Sequence, residues 1–379
     1  MLKLLHRHVL RETLVATALA MGLFVFVLLT GNVVRDVAEL IAAGQLGAWT
    51  VARLIGLLIP YVAAYALPLG ILTGTLIAFG RLSSQREITA MKAAGVGVYQ
   101  IAAPVLFLAV VGVAAAVVVN FRLAPQARVA YDDLLTETVR DNPVKFIEEK
   151  RFIHAFPGYV IYLGERDGKA LKDFWIWELD DKKRVTTFLR AERGRVRYRE
   201  GDAALDLILN DGTAEKREPA DPEAAMETPG RTLFFEKLAI GLPLDEILGD
   251  RRGSKRLKEM TFAELMRERR EAMAQEAAGG GIGERRMEVQ FKIQENFAMA
   301  FSVLSLALLG APLAIRVGRK ETYANLALAL ALAMGYYFLV VAVGWLENRP
   351  KLRPDLLVWV PNLVFQTAGV VLLVRANRH

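Results

Sequence analysis

The sequence predicts a membrane α-helical protein of six transmembrane helices with an all-β, jelly-roll-like domain inserted between its two halves. Three observations point there. Six stretches are long and apolar enough to cross a bilayer, the residues between the third and fourth are polar and patterned as strands, and basic residues gather on one side of the spans. A chain that is 54% hydrophobic yet polar throughout its middle fits a bilayer body plus a soluble domain better than one globular unit.

A helix needs roughly 20 apolar residues to cross the hydrocarbon core. The stretches that qualify are 14–34, 54–79, 98–120, 297–315, 324–346 and 356–374. The first follows a basic start and contains small residues, as a cleaved signal would. Its apolar run exceeds a signal's core and more spans follow, so it reads as a retained span. Lys3, Arg7 and Arg11 precede it, Arg81, Arg86 and Lys92 join spans two and three, Arg316, Arg319 and Lys320 join spans four and five, and Arg375 and Arg378 end the chain. The positive-inside rule puts these eleven residues and both termini in the cytoplasm. The segment "ENRPKLRP" dissents, bringing Arg349, Lys351 and Arg353 to the outer side, where they mark a candidate functional surface. Pro60, Pro68, Pro104 and Pro312 lie in or at the ends of spans; hinges and simple packing irregularities are equally compatible with them.

The chain thus divides into a first transmembrane half (1–120), a β-domain with a C-terminal helix and linker (121–295), and a second transmembrane half (296–379). Strand-like runs are "VKFIEE", "RFIHAF", "YVIYLGE", "DFWIWEL", "RVTTFLRAERG", "ALDLILNDG" and "RTLFFEKLAI". Pro157-Gly158, Asp167-Gly168, Gly201-Asp202 and Asp211-Gly212 read as the turns between them. Strands without intervening helices argue for a sandwich or roll. Alternation puts Leu205, Leu207 and Leu209 on one face, either a plain core or an oily surface that accepts a lipid chain. After the strands, Thr261 and Glu264 form a capping box that opens a charged helix, and the glycines of 279–283 end it as a flexible link.

Several chemistries are excluded. With no cysteine there are no disulfides, thiolate zinc sites or iron–sulfur clusters. His6 and His8 resemble a metal pair, but Arg7 and Arg11 around them make a basic anchor the simpler reading. No nucleotide-binding loop, nucleophile elbow, zinc-protease helix or calcium loop occurs, and no ionisable residue sits mid-span as a proton relay. The net charge of +7 is explained by membrane sidedness, not by nucleic acid. If this chain moves something, the energy comes from elsewhere.

The stretch "GRLSSQREITAMKAAG" between spans two and three is therefore informative. Ser84 and Glu87 have capping-box spacing, the helix 84–94 would end at Gly95, and Ile88, Met91 and Ala94 share a face. A short cytoplasmic helix with an apolar face and an acidic start suits docking by a soluble partner. It equally suits a helix that only caps itself or floats on headgroups.

The same stretch, with "LILNDGTAEK", "GAPLAIR", the "YY" of span five and "LLVWVPNLVF", resembles the LptF/LptG (YjgP/YjgQ) permeases of lipopolysaccharide export across nearly the whole chain. One departure is "KIQENFAMA", where Asn296 stands at a position the family usually gives to proline, which bears on the local bend. The resemblance implies a bacterial inner-membrane permease with a periplasmic β-domain. It would be paired with a second permease and a dimeric cytosolic ABC ATPase, and would pass lipopolysaccharide to a bitopic periplasmic bridge protein. It implies no cofactor in this chain, with ATP and Mg2+ held by the partner. Glu87, with Arg86, Ile88 and Met91 around it, would then be the ATPase-coupling element, and cargo would enter by a lateral opening at spans one and five.

An anionic, multi-acyl cargo calls for cations at the outer ends of the spans and an apolar cavity below. Arg35 directly beyond span one is the first choice, Arg53 at the start of span two the second, and Arg349, Lys351 and Arg353 a third group. Arg35 equally fits an ordinary interfacial anchor that snorkels to water. Phe24, Leu28, Tyr337 and Val341 would line the cavity, though their spacing equally fits packing. Two other functions fit the same sequence: an ATPase-coupled mechanotransmitter with no lipid cargo, and a membrane scaffold that presents its β-domain.

Overall fold

A computed structural model describes residues 2–36, 46–141, 150–167 (without 151, 154–155 and 157), 170–180, 184–199, 204–216, 231–243, 255–277, 284–317, 322–346 and 352–378. Two compact units emerge. The helical unit comprises Met1–Asp36, Ile55–Val129 and Arg256–His379, and the other comprises Val37–Leu54 and Ala130–Lys255. The bundle therefore reaches beyond both expected boundaries, 120 and 296.

Six helices are long and apolar enough to span a membrane. They belong to α1 (Leu2–Asp36), α2 (Ala48–Ser84), α4 (Val98–Val118), α7 (Glu284–Val317), α8 (Thr322–Gly344) and α10 (Val360–Arg378). Between α2 and α4 lies the short α3 (Glu87–Ala93), and α9 (Pro354–Leu357) precedes α10. Span three does not stop at its apolar limit. A π-helical turn, Val119–Leu123, carries it into the more polar α5 (Ala124–Asp141). Span four likewise begins well before its apolar run, and it passes Asn296 as unbroken helix. Its polar start packs against α6 (Phe262–Ala277), where Arg285 donates to Glu268 at 2.8 Å and Arg269 to Gln290 at 3.1 Å. Phe121 of the π turn stacks edge-on against Phe262 and closes a small core with Leu265, Val289 and Ile293. At the start of α6 the Glu264 carboxylate accepts from both the backbone N–H and the hydroxyl of Thr261, so the expected reach-back is present.

Without a hydrophobic force between helices inside lipid, close backbone packing and hydrogen bonds hold spans together. Gly70 and Gly74 of α2 lie against Met21 and Thr17 of α1. Spans four, five and six share a buried polar knot. Asn362 donates to the carbonyl of Ala298 at 2.8 Å and accepts from Ser305 (2.7 Å) and Tyr336 (3.2 Å), while Gln366 donates to Ser305. Asn362→Leu keeps the volume but removes the side-chain donor to the Ala298 carbonyl and the shared acceptor of Ser305 and Tyr336, leaving Ser305 its bonds to the Phe301 carbonyl and Gln366. A loss of about 1–3 kcal/mol is expected, read as a lower melting temperature in detergent; an unchanged melting temperature would refute the knot's structural role.

The second unit holds one antiparallel sheet in the order β1-β2-β3-β4-β5-β6. The strands are β1 (Phe152–Ile153), β2 (Tyr159–Asp167), β3 (Ala170–Leu179), β4 (Val185–Arg199), β5 (Ala204–Lys216) and β6 (Arg231–Pro243). Every neighbour in the sheet is a neighbour in sequence, so the described strands form a meander, with no Greek-key crossover among them. "VKFIEE", the Gly201-Asp202 turn and the glycines of 279–283 lie outside the described residues. Leu205, Leu207 and Leu209 are fully buried, as the alternation requires of a core face. One turn expectation is corrected. Asp211-Gly212 sits inside β5, which absorbs Asp211 in a left-handed conformation (φ 54°) and keeps pairing with β4 and β6 on both sides of it.

Candidate functional site

The linker between spans two and three folds by a route its sequence does not announce. Ser84 does not cap α3: its hydroxyl donates back to the carbonyl of Arg81 at 2.9 Å. The residue before α3 is Arg86, in the left-handed region (φ 61°), and it turns the chain from α2 directly into α3. The expected Ser84–Glu87 capping box is therefore absent. Exit from α3 follows expectation. Gly95 takes φ +84°, and its N–H and that of Val96 bond the carbonyls of Lys92 and Met91, a Schellman closure.

The apolar face of α3 also differs from the docking surface expected. Ile88 and Met91 are 3% and 9% exposed and belong to the bundle core with Val9, Leu82 and Val98. They hold α3 onto the spans and present nothing outward. What α3 exposes is Thr89, Lys92 and the small Ala90 and Ala93, with Arg86 exposed just before it and Ala94 just after, and the Glu87 side chain is 37% exposed. Glu87 Oε2 lies 3.1 Å from Nε2 of His8 on α1, and Glu12 of α1 pairs with Arg81 at the end of α2. At the same end the side chain of Asn377 accepts from the backbone N–H of Val98. Both ends of the chain therefore meet α3 and its flanks. Arg7 and Arg11 on α1, Arg81 on α2, Arg86 and Lys92 at α3, and Arg375 on α10 are all exposed. α3 thus contacts α1 through Glu87 and His8, while Glu12 ties α1 to the end of α2. Sequence spacing revealed neither pair, because His8 and Glu87 are 79 positions apart.

At the opposite end of the bundle the structure sorts the expected cations. Arg53 is exposed at the start of α2, and Arg35 lies in the last turn of α1, its side chain outside the described residues, as are Arg349 and Lys351. Arg353 is exposed and adopts a left-handed conformation (φ 50°) ahead of Pro354, with Nε 3.4 Å from the buried carboxylate of Asp355. It does not stand alone. Arg269 of α6 and Arg286 of α7 join it around a recess of about 470 Å³ that also holds Met273, Met287 and Asp355. Three guanidiniums against one lining carboxylate make this an anion-attracting surface. Arg269 and Arg286 escaped the sequence reading because they lie in a charged helical hairpin, where arginines are commonplace.

Of the expected cavity residues, Phe24 and Leu28 are half-buried on α1, and Val341 is exposed on α8. Tyr337 is half-buried and donates from its hydroxyl to the carbonyl of Tyr65 on α2 at 3.3 Å. Its "YY" neighbour, Tyr336, is fully buried in the polar knot. Leu19, Phe26, Leu330 and Phe338 expose broad apolar surface on α1 and α8, the two spans along which lipid or another helix would lie.

Six apolar helices and an inserted antiparallel sheet define the class, a multi-pass membrane protein with a β-domain, whose sequence has no nucleotide-binding loop of its own. Residues 7–375 match the model of the lipopolysaccharide export system permease LptF/LptG family. The chain belongs to that family, and with its six spans it is a multi-pass inner-membrane component of lipopolysaccharide export. The lipopolysaccharide export system permease protein LptF of Escherichia coli is 22% identical over 369 residues, covering 97% of this chain and 93% of that protein. The protein of the same name from Shigella flexneri matches to the same extent.

Proposed function

We propose that this chain is the F-type permease half of an ATP-driven exporter that lifts lipopolysaccharide out of the inner membrane and hands it to a periplasmic bridge protein. The observation that supports this most is the family match along nearly the entire chain, spans and sheet together. Both termini and α3 face the cytoplasm in this reading, and the sheet, completed as a jelly roll, lies in the periplasm. Glu87 and Arg86 meet a dimeric cytosolic ABC ATPase, which holds the ATP and Mg2+. Ile88 and Met91 transmit its movement inward, being the residues that bind α3 to the spans. A second permease of the same family covers the exposed apolar faces of α1 and α8. The lipid enters between these spans, its acyl chains against Phe24, Leu28, Tyr337 and Val341. Its phosphates are drawn by Arg35, by Arg53, and by Arg353 with its neighbours Arg349 and Lys351. Beyond the bundle, β6 ends the described sheet with an unpaired edge and exposed Leu233 and Phe234, a suitable seat for a strand of the bridge protein.

Arg35→Glu is the test. Removing a charge-assisted phosphate contact and adding repulsion should weaken lipopolysaccharide extraction about 10- to 100-fold in vesicles holding both permeases and the ATPase, with assembly intact. Extraction at the unmodified rate would remove Arg35 from the cargo path. Co-purification that yields no ATPase and no second permease would overturn the proposal as a whole.

A further inference from the structure

The recess of about 470 Å³ at the end of the bundle opposite α3 carries three guanidiniums, and their partners decide what it can take. Arg286 on α7 pairs with Glu276 on α6 at 3.1 Å, and Arg353 ahead of α9 pairs with Asp355 at 3.4 Å. Arg269 on α6 differs. It donates to the neutral amide of Gln290 at 3.1 Å and has no carboxylate partner among the described residues. After these pairs one positive charge is left over, on a half-buried side chain whose planar fork suits a carboxylate or a phosphate oxygen pair. The Arg286–Glu276 pair is exposed on both sides, so a second anion can share Arg286 at little cost. Charge alone thus admits one carboxylate or one phosphodiester.

Height separates the two. Gln294 of α7 accepts from the indole of Trp359 at 2.9 Å, and an indole at the end of a span marks the boundary between membrane and water. Along the same helix Gln290 lies four residues beyond Gln294 and Arg286 eight, which is about 6 and 12 Å farther out at the helical rise. The headgroup layer is about 5–8 Å deep on each face. Arg269, bonded to Gln290, stands near the top of that layer, and Arg286 and Met287 rise past it. An occupant that reaches both arginines therefore comes from the aqueous side. The apolar walls agree. Met273, 46% exposed, and Met287 line the recess beside the arginines. Arginine and methionine are enriched where protein surfaces meet, one for its fork of donors and the other for its adaptable apolar chain.

We propose that this recess seats an acidic segment of a protein partner outside the bilayer. An aspartate or glutamate of the partner takes the Arg269 guanidinium and shares Arg286, and apolar side chains flanking that acid lie on Met273 and Met287. The proposal requires the bundle to lie in a membrane, but it needs neither the cargo nor the ATPase, which in the proposed exporter meets the other end.

The test uses the full chain in its native membrane, with photoreactive p-benzoylphenylalanine replacing Met273 and the attachment site read by peptide mass spectrometry. The expected adduct is with one protein, attached within a few residues of an aspartate or glutamate. Arg269→Gln keeps a donor for Gln290 while removing the charge, and should lower the adduct yield about tenfold, the effect of losing a charge-assisted contact. Arg286→Glu, at an exposed position, should lower it as well and serves if Arg269→Gln fails to fold. Arg267→Gln, exposed on α6 but not lining the recess, should leave the yield unchanged. Exchange of the mapped acid for lysine should abolish the adduct, and combining it with Arg286→Glu should restore it, which no bystander protein would show. Adducts with lipid alone, no adduct, attachment far from any acid, or a yield insensitive to both arginine variants would each overturn the proposal. Adducts with lipid alone would put headgroups in the recess and leave the transport reading standing.

Discussion

Glu87→Lys leaves the protein folded and abolishes productive export by the assembled complex. The first half of this expectation follows from what Glu87 does not do. It takes no part in a capping box, since Ser84 bonds Arg81, and its pair with His8 is exposed on both sides. Such a pair contributes about 0–1 kcal/mol. Attachment of α3 rests instead on Ile88 and Met91, which the substitution does not touch. The melting temperature should therefore barely move. Function is expected to respond differently, because Glu87 is the acidic residue of α3, partly exposed between the exposed Arg86 and Lys92 in sequence. In the proposed complex a basic side chain on the ATPase would be attracted to this carboxylate and would meet repulsion after the exchange. A charge-assisted contact of roughly 1.5–3 kcal/mol corresponds to about 10- to 100-fold weaker docking, and reversal adds to that. His8→Ala separates two versions of the mechanism: near-normal export means the carboxylate acts on the partner, whereas export as poor as that of Glu87→Lys means the link from α3 to span one is itself the coupling. Lipid-stimulated ATP hydrolysis and extraction at normal levels in Glu87→Lys would refute the docking role altogether.

What the sequence reveals of this fold is set by how local each determinant is. Spans are legible because about 20 consecutive apolar residues are needed whatever surrounds them. Strands β2 to β6 are legible because aromatic and β-branched runs report a half-buried surface, as Leu205, Leu207 and Leu209 do. Where a helix continues past its apolar limit the signal vanishes, so the passage from α4 through Val119–Leu123 into α5 reads as the start of another domain. Ser84 and Glu87 have correct capping-box spacing, but Arg86 accepts a left-handed backbone so that α3 can lie back on the bundle, and tertiary packing overrides the local motif. Helical spacing rightly groups Ile88 with Met91 but cannot say toward what they turn; the end of the bundle is the nearer apolar surface. Asn120, Arg269 and Asn362 matter through partners 21 to 176 positions distant, which no window along the chain contains. One motif was present in plain form: Gly70-x-x-x-Gly74, the small-residue pattern of close-packed membrane helices, is visible in the sequence without any structure.

Gly74→Leu is expected to be the most destabilising exchange in the first transmembrane half. A Cβ on Gly74 would stand 2.4 Å from Thr17 Cα and 2.5 Å from Thr17 N. Those are backbone atoms of α1, which cannot rotate away as a side-chain tip does, so the two helices must separate. One turn along, a Cβ on Gly70 would stand 2.8 Å from Met21 Cβ, so the seam opens over two turns rather than at a point. Overpacking of this kind typically costs about 1–3 kcal/mol and sometimes more. Here it also strips dispersion contacts from a pair of helices that no hydrophobic force restores within lipid. Span one carries His8 and Glu12, the two contacts by which α3 and the end of α2 are tied to it, so the damage reaches α3 as well. Gly74→Ala should already show most of the loss, since the clash begins at Cβ. Gly56→Ala on the same helix, with nothing within 4 Å of its Cβ, should be neutral or slightly stabilising. The measurement is the yield and melting temperature of the detergent-solubilised protein, followed by disulfide trapping between cysteines placed on α1 and α2. Equal stability and equal trapping for Gly74→Leu and Gly56→Ala would show that α1 is not seated on α2 through these glycines.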